Sequence, residues 1–353
     1  MDQGNEPAKK LKQKKRKRYM LDQSWVRVPV ELAMRWHAFW ITLFGWRWAY
    51  FWARWVARVG WVVLGKQRGY ALRNLELCFP EMPQAQRVRI GKLSFRHSVY
   101  QFLDYLLVPR YFKTGAESPH FHGPKDNSTF SNWYRAGQAA FNLSLHLGNF
   151  DIVSFNIGRE TGHLPLLLIV KEVRPPVLNR WLTRARNILG SEVRHADEGA
   201  RQYLRAVKEK RNVGTVVDQN GGDFAPVETF FGVPCTWQAE FTRMVLRGGG
   251  RVCFHACVRR GDRFEFDYLE PEYHQYAPDT DQMQIVRDYR DWVEKLVRQY
   301  PEQYLWVHRR FKGRRKGWPD RYENLGRSLT PEDRKRLLDV PPPKSKDRPS
   351  EPA

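Results

Sequence analysis

The residues best suited to chemistry lie in the segment Phe141-Asn-Leu-Ser-Leu-His-Leu-Gly-Asn-Phe-Asp151. Its apolar first half predicts a strand that ends at His146, and Gly148 with Asn149 predicts a tight turn before Asp151. On a continuous helix, side chains five residues apart point away from each other, whereas a turn lets His146 and Asp151 meet. A carboxylate on one ring nitrogen fixes the tautomer of an imidazole and leaves the other nitrogen as a general base. We therefore expect His146 to be the base and Asp151 its partner.

No partner nucleophile is evident beside this pair. Ser144 lies two residues before His146 on the same strand face, but the sequence around it does not resemble a nucleophile elbow. A substrate hydroxyl deprotonated by His146 would make an enzyme nucleophile unnecessary. The plain alternative for His146 is a surface or core histidine without a chemical role, and the strand, Gly-Asn turn and Asp argue against it.

The elements around this segment alternate between strands and helices. Short apolar runs predict strands at 141–146, 164–170, 213–218, 251–260 and 264–269, and apolar residues at helical spacing predict helices at 84–107, 177–189, 198–211 and 282–300. This alternation indicates an α/β domain with a mixed, largely parallel sheet flanked by helices. Ligands of such sheets gather at the carboxyl ends of the strands, where His146 and Asp218 each end a predicted strand.

The N-terminal part has a different composition. Residues 1–20 are rich in Lys and Arg and predict a disordered tail without the features of a secretory signal. Residues 21–66 hold eight of the 14 Trp, and Arg47, Arg54 and Arg58 are spaced to form one stripe on a helix. The apolar run 36–46 is shorter than the roughly 20 residues that span a bilayer. We expect a membrane-associated helix there, either flat in the interface or crossing.

The domain boundaries follow from these changes in composition. We expect a globular domain at 67–322 and a charged, Pro-rich C-terminal tail at 323–353. The whole chain has a net charge of +22, which favours a polyanionic partner such as nucleic acid, an anionic membrane, an acidic carrier or a phosphorylated substrate. Its four Cys in 353 residues argue against a disulfide scaffold and suit a reducing compartment.

The segment His146-Leu-Gly-Asn-Phe-Asp151 resembles the HxxxxD/E motif of glycerolipid acyltransferases, in particular the late acyltransferases of lipid A biosynthesis. Further segments similar to that family follow in order: Arg73-Asn-Leu-Glu-Leu-Cys-Phe-Pro-Glu81, Val217-Asp-Gln219, Pro226-Val-Glu-Thr-Phe-Phe-Gly232 and Pro301-Glu-Gln-Tyr-Leu-Trp-Val-His-Arg-Arg-Phe-Lys312. The likeness covers roughly residues 30–320. One departure is that Asp151 stands where the lipid A enzymes more commonly have Glu.

The resemblance implies a membrane-bound α/β acyltransferase at the cytoplasmic face of the inner membrane. Its donor would be acyl carrier protein, or acyl coenzyme A, and its acceptor a hydroxyl of a lipid A precursor. His146 would be the base and Asp151 its partner. Arg186, with Arg184 as a rival, would stabilise the thioester oxyanion or hold a phosphate. Asp218 would orient that arginine, and Gln219 would support the substrate.

A basic cluster at 308–316 lies beside Trp306 and Trp318, and contains Arg309 and Arg310. Cations among aromatic residues fit single-stranded nucleic acid as well as phospholipid, and a solvated basic face is the plain alternative. The resemblance favours substrate phosphates or an anionic membrane surface and argues against nucleic acid as a partner. Cys253, His255 and Cys257 share one strand face without an evident fourth ligand, so we expect a buried face, no metal and no cofactor.

The leading interpretation is therefore an acyltransferase that acts on lipid A precursors. The alternatives are an acyltransferase for another acceptor, such as a phospholipid, a glycolipid or an ornithine lipid, or a protein without catalysis that binds membranes or nucleic acid.

Overall fold

A computed structural model describes residues 24–123, 128–160, 166–195, 200–313 and 317–340. The expected basic tail 1–20 lies outside the described residues, as do residues 341–353 and the cations Arg314, Arg315 and Lys316 of the basic cluster.

The helices of the described residues flank the sheets on both sides. They are α1 (Ser24–Val63), α2 (Gly65–Cys78), α3 (Gln84–Tyr111), α4 (Ser128–Arg135), α5 (Val153–Glu160), α6 (Pro176–Ile188), α7 (Ala200–Lys208), α8 (Glu240–Arg247), α9 (Gln282–Gln299) and α10 (Pro331–Leu338), with a short 3-10 helix at Pro301–Gln303. The predicted helices at 84–107, 177–189 and 282–300 correspond to α3, α6 and α9.

The strands of the described residues are β1 (Phe121–His122), β2 (Phe141–Ser144), β3 (Leu166–Val170), β4 (Ser191–His195), β5 (Val213–Val216), β6 (Val227–Phe230), β7 (Val233–Thr236), β8 (Arg251–Phe254), β9 (Cys257–Arg259), β10 (Phe266–Tyr268) and β11 (Glu272–Gln275). Six of them form the central sheet in the order β11-β8-β2-β5-β3-β4. All neighbours in it are parallel except β11, which runs antiparallel to β8. The predicted α/β class with a largely parallel sheet is confirmed.

Two of the predicted strands have a different arrangement. The run 251–260 forms two strands, β8 in the central sheet and β9 in a separate three-stranded sheet of order β1-β10-β9. The predicted strand 264–269 is β10 of that second sheet. A further hairpin joins β6 to β7.

The central sheet separates two hydrophobic cores because successive side chains of a strand point to opposite faces. In β3, Leu167 and Ile169 belong to the core under α9, whereas Leu166 and Leu168 belong to the core under α1, α3 and α6. Both faces are covered, as parallel sheets require.

The N-terminal segment forms the long helix α1, which is kinked at Gly45. At Gly45 the backbone turns out of helical geometry with φ of 71°, and a Cβ there would lie 2.5 Å from the Tyr111 hydroxyl. After this kink, Ala49, Tyr50 and Ala53 are buried against the domain. Its other face exposes large apolar side chains, including Trp36 at 60% and Val62 at 70%. None of the helices in the described ranges has the length and hydropathy to cross a bilayer.

The globular part extends further than the boundary expected at residue 322. Helix α10 begins with a capping box between Thr330 and Asp333, and it buries Leu337 in the core under α9. Arg334 then donates to the carbonyl oxygens of Glu76 and Leu77 on α2. The charged composition of this segment concealed a helix that buries a single apolar residue.

Candidate active site

Strand register brings His146 and Asp218 together. Strands β2 and β5 are adjacent and parallel, with Ser144 paired to Val216. Two residues beyond this pair the two chains place His146 and Asp218 side by side at the carboxyl edge of the sheet. This edge is where ligands of open α/β sheets bind.

Asp218 holds His146 through two contacts. One carboxylate oxygen accepts from His146 Nδ1 at 2.7 Å, and the other accepts from the His146 backbone N–H at 3.1 Å. With the proton on Nδ1, the ring keeps a lone pair on Nε2, and the side-chain amide of Gln219 lies 3.1 Å from that nitrogen. The Phe150 ring packs on the imidazole with a centroid distance of 4.8 Å.

The two members of this pair differ in their access to solvent. Asp218 is 1% exposed, whereas the His146 side chain is 17% exposed. Burial disfavours the charged form of Asp218, but the charge and hydrogen bonds of His146 outweigh it, so the pKa of this carboxyl is lowered. Asp218 is thus an ionised carboxylate under the ring, and His146 is the group that a substrate can reach.

Asp151 has other partners. Arg186 on α6 donates from Nε at 3.0 Å and from Nη2 at 3.2 Å to its two oxygens, and the Tyr105 hydroxyl donates to the carboxylate as well. Burial opposes the charged form of Arg186, yet Asp151 outweighs that effect and raises the pKa of the guanidinium. The rival Arg184 is exposed on the same helix.

These contacts correct two sequence expectations. His146 is hydrogen-bonded to Asp218 and Gln219, and not to Asp151. Asp218 orients His146 and not Arg186, whose guanidinium is held by Asp151. The physical reason is the order of the strands, because β5 lies next to β2 and carries its own carboxylate to the histidine.

Residues of β9 and α3 hold the turn between His146 and Asp151 in place. Gly148 has φ of 58°, and a Cβ there would lie 2.2 Å from the Cys257 carbonyl oxygen, so only glycine fits. The Asn149 amide donates to Asp104 on α3 at 2.7 Å. Asp104 also forms a fully buried ion pair with Arg259 and accepts from Tyr50 on α1. Successive residues of α3, Asp104 and Tyr105, therefore hold two members of the motif.

The expected phosphate-binding arginines are not equivalent. Arg310 is 2% exposed, and its guanidinium lies over the Trp237 ring at 4.2 Å and donates to the Thr236 carbonyl oxygen at 2.7 Å. Its charge contributes to the lowered pKa of Asp218, so Arg310 is an internal cation behind the site and not a surface one. Arg309 is half-buried between the rings of Tyr70 and Tyr322.

His308, which the sequence did not single out as a site residue, lies near the same edge. Its Nε2 is 3.4 Å from the Asn220 backbone N–H. Burial and the charges of His146 and Arg310 lower the pKa of His308 to about 4. His308 is therefore neutral near pH 7. The signal available in the sequence was the position of His308 directly before Arg309 and Arg310, in the basic cluster.

The remaining candidate groups from the sequence are Ser144 and the strand face of Cys253, His255 and Cys257. The Ser144 hydroxyl is buried and forms no hydrogen bond among the described residues, so no base activates it there. Cys253, His255 and Cys257 are buried, and both ring nitrogens of His255 are used, by Tyr268 and by Asn142. Within the described ranges, no cluster of three or more His, Cys, Asp or Glu side chains is arranged to hold a metal ion.

Comparison with known proteins identifies the family. The family model described as bacterial lipid A biosynthesis acyltransferase matches residues 24–313. A lipid A biosynthesis palmitoleoyltransferase of Escherichia coli strain K12 and a lipid A biosynthesis acyltransferase of Shigella flexneri are each 23% identical over 257 residues, which cover 71% of this chain and 80% of theirs. A lipid A biosynthesis lauroyltransferase of E. coli K12 is 22% identical over 255 residues, with the same coverage. The chain thus belongs to the bacterial lipid A biosynthesis acyltransferase family and is an acyltransferase.

Proposed function

We propose that this enzyme transfers a fatty acyl chain from acyl carrier protein to a hydroxyl of a lipid A precursor, with His146 as the general base. The observation that carries the proposal is the hydrogen bond from His146 Nδ1 to Asp218, which leaves Nε2 as the proton acceptor on a partly exposed ring. Family membership supports the acyl transfer and the lipid acceptor.

The reaction follows from this tautomer. His146 Nε2 takes the proton of the acceptor hydroxyl, and the oxygen attacks the thioester carbonyl carbon. The C–S bond then breaks, and the thiolate of the donor leaves with the proton from the imidazolium. Asp218 stabilises that imidazolium, since its lowered pKa keeps it ionised. No acyl-enzyme is formed, in agreement with the unassisted Ser144 hydroxyl.

Gln219 is the side chain best placed to bind the reacting oxygens. Its amide is 3.1 Å from His146 Nε2, so a hydroxyl that binds the ring also comes within reach of this donor. Arg186 is less suited to the oxyanion because two of its donors are held by Asp151. We assign Asp151 and Arg186 to positioning the motif turn.

The N-terminal helix is proposed to hold the enzyme on the cytoplasmic face of the inner membrane. Trp25, Trp36, Phe39, Leu43 and Phe44 of α1 are each more than half exposed. Aromatic and aliphatic side chains in such a row favour the interface of a bilayer. The net charge of +22 favours anionic lipid and also the acidic carrier protein as donor.

The catalytic proposal is tested with the purified full chain, acyl carrier protein thioester and lipid A precursor, with the product measured by mass spectrometry. His146→Ala is expected to lower kcat by about 10²–10⁴-fold, the range of general-base catalysis. His274→Gln is the matched control, because His274 lies on β11 away from this edge. Transfer by His146→Ala at the wild-type rate would overturn the assignment. Transfer only to phospholipid or another acceptor would keep the base and replace the acceptor.

The membrane proposal has a separate test. Removing all of α1 would expose the core that Tyr50 and Ala53 cover, so substitutions on the exposed face are preferable. Trp36→Gln, Phe39→Gln and Leu43→Gln together are expected to weaken sedimentation with anionic vesicles and to leave the unfolding midpoint unchanged. Undiminished sedimentation would contradict α1 as the anchor.

A further inference from the structure

A basic groove lies along the contact between α1 and α3, near the C-terminal end of α1. Its volume is about 420 Å³, within the roughly 300–1,000 Å³ range of ligand sites. Two cations come from each helix: Arg54 and Arg58 from α1, and Lys92 and Arg96 from α3.

The positive charge of this groove is poorly neutralised. Arg96 pairs with Asp262 at 3.0 Å. In the part of the chain that the structure describes, Arg54, Arg58 and Lys92 form no ion pair. Four cations facing one carboxylate repel one another, and an anion between them would relieve that repulsion.

The other residues that line the groove are apolar. Trp61 and Leu93 contribute to its walls, together with Ala57 and Val62. Next to Arg58 on the surface of α1, Val62 is 70% exposed and Val59 is 58% exposed. A ligand that fits must therefore combine a negative headgroup with a hydrocarbon part that continues along these valines.

We propose that this groove binds the headgroup of one anionic phospholipid, with its phosphate between Arg58 and Lys92 and its acyl chains along the exposed valines of α1. An inorganic ion would make no use of the apolar walls. A zwitterionic lipid would bring a quaternary ammonium into a site with an excess of positive charge.

The groove is distinct from the acyl-transfer site. Lys92 precedes Asp104 by twelve residues on α3, which corresponds to about 18 Å along the helix. The inference deepens the membrane association proposed above and rests on it, whereas the chemistry at His146 does not depend on it. A bound lipid there would orient the enzyme at the bilayer through the same helix that holds the motif turn.

The test uses a soluble short-chain lipid, because vesicles would also report diffuse attraction to a charged surface. The full chain in nonionic detergent is titrated by calorimetry with dihexanoyl phosphatidylglycerol, dihexanoyl phosphatidylcholine or inorganic phosphate. The variant Arg58→Gln with Lys92→Gln alters only exposed side chains. Its matched control, Arg27→Gln with Arg47→Gln, removes the same charge from α1 outside the groove.

We expect saturable binding of one phosphatidylglycerol, and a dissociation constant about tenfold or more higher in the groove variant, since two charge-assisted contacts are lost. The control should bind as the wild type does. The proposal would be overturned if both variants bound phosphatidylglycerol equally weakly, or if the wild type bound phosphatidylcholine or free phosphate with equal affinity. It would also be overturned if the groove variant lost binding of the carrier protein instead of the lipid. Acyl transfer to detergent-dispersed acceptor, measured in the same variant, stays at the wild-type rate, so failure of the lipid site is distinguishable from failure of the proposed function.

Discussion

Two carboxylates lie near the same motif turn, and they are used differently. Asp218 faces a histidine whose side chain is 17% exposed, whereas Asp151 faces an arginine whose side chain is 9% exposed. An imidazole can take up and release a proton, whereas the guanidinium of an arginine stays protonated. The difference suggests that one pair performs proton transfer and the other keeps the turn in place.

The largest expected effect comes from Asp218→Asn, which keeps the size of the side chain and removes its charge. The imidazolium loses its stabilisation and the Nδ1–H tautomer loses its acceptor, so kcat should fall by about 10²–10⁴-fold. The pH profile of kcat should change as well. Steady-state kinetics measure both, with Asp291→Asn as an exposed control. A merely structural Asp218 would lower the unfolding midpoint and leave kcat per folded molecule unchanged.

Asp151→Asn should act mainly on stability. Arg186 would be left buried without a counter-charge, which costs about 3–5 kcal/mol of unfolding free energy. Urea unfolding measures the loss, and Arg186→Met in the Asp151→Asn background should restore part of it. Additive losses in this double-mutant cycle would show that the two side chains do not act as a pair. A kcat per folded molecule as low as that of Asp218→Asn would contradict the separation of roles.

Tyr105→Phe should have a smaller effect on the same pair. The variant keeps the packing of the ring and removes one hydrogen bond to the Asp151 carboxylate. A hydrogen bond to a charged group contributes about 1.5–3 kcal/mol to the free energy of unfolding. Urea unfolding again measures it. Tyr203→Phe serves as control on a tyrosine outside the site, and an equal loss in both variants would count against a special role for the Tyr105 hydroxyl.

The smallest effect per residue concerns two buried histidines that are neutral, His97 and His255. Burial lowers the pKa of His255 to about 3, and burial with the charges of Arg259 and Arg96 lowers the pKa of His97 to about 3. Below pH 6.5 these histidines bind protons in the unfolded chain but not in the folded chain. Their contribution to the free energy of unfolding is therefore fully present above that pH and is lost as the pH drops towards 3. Each histidine should lower the free energy of unfolding by about 2 kcal/mol between pH 7.5 and pH 5.

Urea unfolding at the two pH values tests this prediction through the difference between them. His255→Gln should reduce the pH-dependent loss, whatever it does to stability at pH 7.5. A loss that is unchanged in this variant would show that His255 is charged or exposed in the folded protein.

The sequence predicted the positions of the candidate residues better than the contacts between them. His146 and Asp218 end predicted strands, and both lie at the predicted edge. Their pairing depends on β5 being the neighbour of β2, and strand order is a long-range property that local periodicity does not contain. Asp151 was assigned to His146 because the two are close in sequence, and the structure favours the residue that is 72 positions away.

The residues that hold the turn were missed for a related reason. Asp104 and Tyr105 lie on a correctly predicted helix, more than 40 residues before the motif. A carboxylate in the apolar stretch Phe102-Leu-Asp-Tyr-Leu-Leu-Val108 was the available signal, because a buried charge requires a partner. Arg310 illustrates the opposite error, since it was expected to bind substrate phosphates or a membrane surface, and two aromatic rings enclose it.

The most direct test of the account is the tautomer of His146 in the resting enzyme. Nitrogen-15 spectra of histidine-labelled protein, assigned with His146→Gln, distinguish a protonated ring nitrogen from one with a free lone pair. The account predicts a proton on Nδ1 and none on Nε2 near pH 8, with this preference lost in Asp218→Asn. A proton found on Nε2 instead would leave that nitrogen unable to accept the hydroxyl proton and would contradict the proposed catalysis.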